Sequence, residues 1–313
     1  MRSERSYLPD VQHGLDRFRG EAKQIIDSFV STLPKELPPI IYHYTNDVGL
    51  RGILESGKVW LTDIFKLNDP SEVHHGLSHA IGILRRKVEN GPPQTKKFVG
   101  GLEAFFRQGG VEKAAHFFIC SFSSCGDDLG QWRAYGDNGR GYALGFDANV
   151  LENGLRTPNA EAFYLTYDDN KLDALLGQIV ESYRSAVNLD LILRSGVGAH
   201  EMADLYTWLT VYLLRAALFF KHAAYATEKE YRFLESYGAD AQPPDVKLRA
   251  RSYSLVEYRE FDWRGVAAGA LKRIVAGPAA DHQEAARFAT DCLRSCNAES
   301  VVIIRSGIPY RAV

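Results

Sequence analysis

The run HFFICSFSS at residues 116–124 constrains the fold of this 313-residue chain more than any other segment. It is short and apolar and predicts a buried strand. GYALGFD predicts a second strand, and further strand-like runs are IIYHYT, KVWLT, EYRFL and LKRIVAG. Because helical segments separate these runs, the sequence predicts an α+β fold.

Apolar residues at helical spacing predict an amphipathic helix within 12–31, and Pro38 and Pro39 follow it. We therefore assign residues 1–39 to an N-terminal helical extension. The rest of the chain, 40–313, is predicted as a single α+β domain. It carries a helical insert at about 171–222, and it ends in a strand, helix, strand order.

Composition is that of an ordinary folded protein, with 45% hydrophobic and 24% charged residues. The net charge of −2 gives no strong nucleic-acid signature and no general attraction to anionic membranes. No apolar run is long enough to span a bilayer. Four cysteines without CxxC spacing suit a reducing compartment, so we expect a cytoplasmic protein.

YHYT at 42–45 contributes the first candidate site residues. Alternate side chains of a strand share a face, so His43 and Thr45 would point one way and Tyr44 the other. His43 and Thr45 could then approach one ligand together. The alternative is a core histidine bonded to a backbone carbonyl, which is at least as common.

The EKEYRFL segment contributes two carboxylates. The same alternation predicts that Glu228, Glu230 and Arg232 share one face of a strand. Such a face is usually a solvated edge with an internal ion pair. If it lines a cleft instead, one carboxylate could stabilise a developing sugar cation.

The segment CSFSSCGDDLGQWRAYGDNGRGYALGF at residues 120–146 is the densest set of candidates. Its serines share a face, its aromatic rings could stack on a base or nicotinamide, and its arginines suit phosphate. The candidates are Ser121, Ser123, Trp132, Arg133, Tyr135, Arg140 and Tyr142. The alternative is a long hairpin whose aromatic side chains fill the core.

NDPSEVHHGLSH at 68–79 offers a metal-site alternative. His75 and His79 are four residues apart, on one face of a predicted helix, with Asp69 and Glu72 nearby. A metal-dependent hydrolase could use His75, His79 and Asp69. The ligand set is incomplete and lacks the HExxH pattern, so we expect no bound metal.

Several ordered segments resemble a widespread bacterial family known only as a domain of unknown function. They are YHYT, GLRGILESGKVWLTD, NDPSE, QWRAYGDNGRGYALGF, EKEYRFL and IRSGIPYR, and they cover roughly 40–313. The resemblance supplies no activity.

A more distant similarity is to the ADP-ribosyltransferase fold, which implies a mixed, largely antiparallel sheet and NAD as substrate. In that family a first-strand residue holds the nicotinamide ribose. A serine or tyrosine follows, and a late-strand glutamate binds the 2′-hydroxyl and stabilises an oxocarbenium-like transition state. His43 with Thr45 is similar to the first element and Glu230 to the last. The middle element corresponds to Ser121 and Ser123, or to Tyr135 and Tyr142.

The resemblance therefore implies an NAD-dependent ADP-ribosyltransferase or an NAD glycohydrolase-type bacterial effector that binds a nucleotide-like small molecule. The implied catalytic residues are His43, Glu230 and Tyr135. The implied NAD-binding residues are Tyr44, Thr45, Ser121, Ser123, Trp132, Arg133, Arg140, Tyr142 and Glu228. Alternatives are a non-catalytic nucleotide-sensing or interaction module in stress or phage defence, and the metal-dependent hydrolase.

Overall fold

The computed structural model describes residues 9–67, 71–110, 112, 114–238, 241–251, 253–298 and 300–311. The helices are α1 Pro9–Thr32, α2 Asp47–Ser56, α3 Ser71–Val88, α4 Pro93–Arg107, α5 Leu129–Tyr135, α6 Ala148–Leu155, α7 Asp169–Val187, α8 Leu189–Ser195, α9 Ala199–Ala217, α10 Trp263–Val266 and α11 His282–Ser295. The strands are β1 Ile40–Thr45, β2 Val59–Asp63, β3 Ala115–Ser123, β4 Tyr142–Asp147, β5 Ala160–Tyr164, β6 Glu230–Gly238, β7 Lys247–Arg251, β8 Ser254–Phe261, β9 Leu271–Ala276 and β10 Val302–Arg305.

The strands form one ten-stranded sheet in the order β10-β9-β4-β1-β3-β2-β8-β7, with β6 also paired to β3 and β5 to β6. β9 and β10 are parallel, and the other paired strands of the described chain are antiparallel. The predicted α+β class with a mixed, largely antiparallel sheet is confirmed. The long-hairpin alternative is wrong in its strand pairing, because β1 lies between β3 and β4, but Trp132 and Tyr142 do fill the core as that alternative predicted.

β3 is a branching strand with three partners. One of its edges pairs with β6 along its whole length. On the other edge, Ser123 is in register with Tyr42 of β1, whereas Ile119 is in register with Thr62 of β2. Strands β1 and β2 therefore diverge beside residues 120–122, and we call this opening in the sheet the fork.

Alternation along β3 divides the hydrophobic core between the two faces of the sheet. Phe117 and Ile119 belong to a core cluster that also takes its buried residues from α1, α3, α4 and α7–α9. Phe118 and Phe122 belong to a second cluster, with α2, α6 and α11. The apolar character of the run at 116–124 thus reflects burial of both faces.

The helix α1 packs as part of the first cluster. Its residues Val11, Leu15, Phe18 and Ala22 recur at helical spacing and are at most 2% exposed. A Cβ at Gly14 would lie 2.9 Å from the Cα of Val187, so glycine permits the close approach of α1 to α7. The predicted N-terminal helix and the predicted insert therefore share one core.

The predicted insert consists of α7, α8 and α9, with a break at residues 196–198. A further break comes at Asn188, whose φ of 49° ends α7. Strands β5, β7 and β8 were not predicted. Within the part of the chain that the structure describes, no helix combines the length and apolarity needed to cross a membrane.

Candidate functional site

A cavity of about 210 Å³ opens at the fork. Strands β1, β2, β3, β6 and β7, helix α5 and the segments around residues 66–67 and 221–228 supply its walls. Seven of the predicted site residues line it, namely His43, Tyr44, Ser121, Ser123, Tyr135, Glu228 and Glu230. The fork thus brings together residues that are separated by almost two hundred positions of sequence.

Glu230 is a deeply buried charged group of the cavity, with a side chain that is 4% exposed. Its Oε1 accepts hydrogen bonds from Ser121 Oγ at 2.6 Å and from Arg232 Nε at 2.8 Å. Its Oε2 lies 3.2 Å from Lys221 Nζ. Burial alone would raise the pKa of Glu230, but Arg232, Lys221 and the Ser121 hydroxyl outweigh it and hold the pKa below its ordinary value. Glu230 is therefore ionised at neutral pH.

Glu228 reaches the same network from a turn. The sequence predicted it on the strand, but Glu228 ends a 3-10 helix, and Lys229 has a left-handed φ of 46° before β6 begins. That kink breaks the alternation. Glu228 still approaches Glu230, because Lys221 Nζ lies 2.6 Å from Glu228 Oε2 and so bridges the two carboxylates. The Tyr135 hydroxyl donates to Glu228 Oε1 at 3.3 Å.

His43 reaches the fork from the opposite face of the sheet. Its ring packs beside Phe122, with centroids 5.6 Å apart, and Phe122 belongs to the second core cluster. Its Nδ1 lies 3.1 Å from the backbone carbonyl oxygen of Ser121. A carbonyl can only accept, so Nδ1 carries the proton and Nε2 keeps the lone pair.

Burial lowers the pKa of His43, although the bond to the Ser121 carbonyl partly opposes this. The imidazole is therefore neutral at pH 7. The alternative of a histidine bonded to a backbone carbonyl describes this contact, and the histidine lines the cavity as well. The two interpretations of His43 do not exclude each other.

The outer wall of the cavity carries an aromatic ring and a cation that the sequence did not single out. Trp60 is 45% exposed, and the Arg249 guanidinium lies 5.3 Å from the centroid of its ring. The Nε of Arg249 is buried without a hydrogen-bond partner among the described residues. Burial and the neighbouring Arg251 lower the pKa of Arg249. An anionic ligand would satisfy this donor.

Two aromatic side chains that were predicted to contact a ligand lie in the core instead. Trp132 is fully buried, donates from Nε1 to Asp127 Oδ1 at 2.7 Å and packs edge-on against Tyr44. Tyr142 is 2% exposed and donates to the Ala285 carbonyl at 3.3 Å. Neither ring is exposed for stacking on a base.

Three further predicted residues lie outside the cavity. Arg133 and Arg140 are exposed at the surface and are not among its lining residues. Thr45 packs against the first turn of α2, where a Cβ at Gly49 would lie 1.8 Å from its Oγ1. Arg249, rather than Arg133 or Arg140, places a guanidinium at the cavity.

The C-terminal SGIP residues hold the α5 segment in place. Ser306 Oγ donates to Asp127 Oδ1 at 2.5 Å, and the Gly307 amide donates to Asp127 Oδ2 at 2.8 Å. Asp127 also fixes Trp132, so α5 is anchored where Tyr135 faces the cavity. The segment that carries Tyr135 is this short helix, which Asp128 caps.

Lys221 is the functional residue that sequence reasoning most clearly missed. The sequence feature that could have identified it is its position directly after the apolar run ALFF. A lysine buried beside such a run destabilises the fold unless its charge is paired. Gln131, which is 7% exposed and lines the cavity, gave no comparable signal.

The histidines of the metal alternative do not line this cavity. His75 and His79 lie on α3, whereas Asp69 falls outside the described residues. The carboxylate that approaches His75 is Asp169 of α7, at 3.2 Å.

Comparison with known proteins gave one match. Residues 131–233, about a third of the chain, match the family model described as "Protein of unknown function (DUF2971)". That segment begins at α5 and ends within β6, so it contains Tyr135, Lys221, Glu228 and Glu230. Searches of the curated proteins and of the solved structures found no match. The predicted resemblance to a domain-of-unknown-function family is confirmed over residues 131–233, where the chain is similar to the DUF2971 family.

Proposed function

We propose that the fork cavity binds NAD and catalyses cleavage of its nicotinamide–ribose bond, as an ADP-ribosyltransferase or an NAD glycohydrolase. The observation that carries the proposal is the position of Ser121 between His43 and Glu230. The Ser121 carbonyl accepts from His43 Nδ1 at 3.1 Å, and its hydroxyl donates to Glu230 Oε1 at 2.6 Å. Three residues in the order that the resemblance implies therefore meet in one cavity.

The charge state of the cavity suits this reaction. When the C–N bond breaks, its electron pair leaves with nicotinamide, and positive charge develops on the ribose. An ionised carboxylate stabilises that charge, and Glu230 is held ionised by its two cations. Water or another acceptor then forms the new bond at the same carbon and loses a proton.

Hydrogen bonding assigns separate tasks to the remaining groups. Glu230 Oε1 already accepts from Ser121 and Arg232, which leaves Oε2 as the oxygen with fewer contacts for a ribose hydroxyl. The neutral His43 offers the Nε2 lone pair to a second hydroxyl or amide. Glu228 lies next to the reacting centre as a candidate base for the acceptor, because Lys221 holds it beside Glu230.

The size of the cavity indicates which part of NAD it would enclose. About 210 Å³ is less than the roughly 300–1,000 Å³ typical of sites that enclose a drug-sized ligand. The nicotinamide and its ribose would occupy it, and the phosphates would extend toward Arg249. The free Nε donor of Arg249 suits a phosphate oxygen, and the exposed Trp60 ring suits stacking.

Glu230 and Glu235 provide a matched test of the reaction. Both lie on β6, both are buried, and both are paired with an arginine, but only Glu230 lines the cavity. Nicotinamide release from NAD by purified protein would be followed by chromatography. We expect Glu230→Gln to lower the rate about 100-fold or more, and Glu235→Gln to retain it. Equal losses in folded variants would contradict a catalytic role for Glu230.

A nucleotide-sensing module without turnover is the second candidate. The observation that favours it is that two cations and a serine already engage Glu230, as in a structural charge network. Calorimetry with NAD separates the candidates. Binding without nicotinamide release, in the presence of bacterial lysate as a source of acceptors, would support the sensor, whereas neither binding nor release would contradict both.

A further inference from the structure

A second group of side chains, remote in sequence from the fork residues, lies between the parallel helices α3 and α7. Three pairs of polar side chains join these helices, and the two residues of each pair are 94 positions apart in the sequence. They are His75 with Asp169, His79 with Asp173 and Lys87 with Glu181. The first two pairs are one helical turn apart on both helices, so the two imidazoles and two carboxylates form one compact cluster.

We propose that His75, His79 and Asp169 form a binding site for a divalent transition-metal ion of the zinc type. One ligand atom from each residue lies within 4.8 Å of the other two. The His75 Nε2 and Asp169 Oδ1 atoms are 3.2 Å apart. Two ligands bound to one zinc at the tetrahedral angle lie about 3.4 Å apart, so this pair is already at a metal-bridging distance.

The remaining carboxylate takes a positioning role. Asp173 Oδ1 lies 2.7 Å from His79 Nδ1, so Nδ1 donates to it and Nε2 is the ring nitrogen left for a metal. The two rings of His75 and His79 are 4.5 Å apart, as expected of neighbours that turn toward one ligand. An imidazole oriented by a carboxylate is a common arrangement at zinc sites.

The donor set selects the class of ion. Two imidazoles and one carboxylate suit zinc and the neighbouring first-row metals, whereas magnesium and calcium prefer oxygen ligands. Three protein ligands leave a position for water. The side chains of His75 and Asp169 are 24% and 48% exposed, so an ion can enter from solvent.

His222 is close to the cluster but is not included in the ligand set. Its ring centroid lies 5.6 Å from that of His75, and its Nδ1 accepts from the Ala224 amide at 3.1 Å. It therefore provides a neighbouring control. His200 of α9 provides a distant one, because it is an exposed helical histidine outside the cluster.

The test is zinc titration of the full chain after treatment with a chelator, followed by calorimetry and by the rise in melting temperature. We expect one ion per chain for the native protein and for His222→Gln and His200→Gln. His75→Gln, His79→Gln and Asp169→Asn should bind at least 10-fold more weakly and lose the rise in melting temperature. Asp173→Asn should weaken binding about 10- to 100-fold.

Cobalt in place of zinc gives an independent readout, because its visible absorption reports the ligand set. The expected spectrum is that of nitrogen and oxygen ligands, and it should disappear in His79→Gln. Zinc binding that survives all three ligand substitutions would overturn the proposal. Failure to bind any ion would overturn it as well. None of these readouts depends on NAD turnover, so this site and the fork site are tested separately.

Discussion

The two ends of β6 carry the same chemical pair in different surroundings. At the fork, Glu230 pairs with Arg232, and their side chains are 4% and 1% exposed. Further along the strand, Glu235 pairs with Arg259, with side chains that are 11% and 13% exposed. Glu230 also contacts a cavity, a serine and Lys221, whereas Glu235 receives a hydrogen bond from Tyr237.

The two surroundings give the same ion pair different access to a ligand. A carboxylate and a guanidinium on a strand are by themselves compatible with a purely structural role. At the fork the sheet opens, so one oxygen of the buried carboxylate faces a space that a ligand can enter. The fork, and not the residue pair, distinguishes the two ends.

The largest expected effect is that of removing the arginine at each end. Arg232→Met leaves Glu230 buried with one cation and frees the Leu218 carbonyl, to which Arg232 donates at 3.1 Å. We expect the free energy of unfolding to fall by about 3–5 kcal/mol. Arg259→Met should cost less, because that pair is more exposed. Urea denaturation measures the free energy of unfolding of both variants. Equal decreases would show that the two ion pairs contribute equally to stability.

The acid dependence of stability comes next. The pKa of Glu230 is held below its ordinary value of about 4.3, so its contribution is present above that pH and is lost as pH falls through the lower folded-state pKa. One proton changes the free energy of unfolding by at most about 1.4 kcal/mol per pH unit. As pH falls below about 4.5, the free energy of unfolding should therefore decrease less steeply in Glu230→Gln than in the native protein. The free energy of unfolding is measured by urea denaturation at each pH. If it falls equally steeply in both proteins, the lowered pKa of Glu230 is contradicted.

Removing one hydroxyl at each end should cost a similar amount of stability. Ser121→Ala removes the donor to Glu230, and Tyr237→Phe removes the donor to Glu235. We expect each to lower the free energy of unfolding by about 1 kcal/mol. Only Ser121→Ala should lower nicotinamide release. A loss of release in Tyr237→Phe would show that the two ends are coupled.

The smallest expected effect concerns His43. Its pKa is lowered by burial, so the unfolded chain binds more protons just below the ordinary pKa of about 6.5, and stability falls as pH drops below that value. The bond to the Ser121 carbonyl opposes the shift, which limits the slope. His43→Asn should remove this slope. Denaturation at pH 7.5 and 5.5 measures it, and an unchanged difference between the two pH values would argue that His43 titrates normally.

The local sequence pattern was sufficient to predict most of the helices and strands. IIYHYT is β1 as predicted, and EYRFL begins β6. Asn46 caps α2, and Gly57 ends it with a φ of 70°. These features depend on side-chain alternation and on backbone preferences within a few residues, which a sequence displays directly.

Hydrophobic patterns identify buried residues but not their neighbours, and this limited the site prediction. Trp132 and Tyr142 were predicted to bind a ligand, yet both fill the core. Arg249 was not predicted, since it lies on β7, which joins the sheet through β8. Trp60 lies on the predicted strand β2, but its position at the cavity depends on the pairing of β2 with β3. A kink at Lys229 changed the path by which Glu228 reaches the site. Asp169 lies beside His75 because α7 packs along α3, and the local pattern did not reveal that contact.

The α+β class, the principal strands and the candidate residues His43, Ser121 and Glu230 could be predicted without the structure, because periodicity and residue type are local properties. Whether these three residues meet could not be predicted in the same way. Their meeting requires β1 and β2 to part along β3, and that depends on strand pairings between distant segments whose register no local pattern encodes.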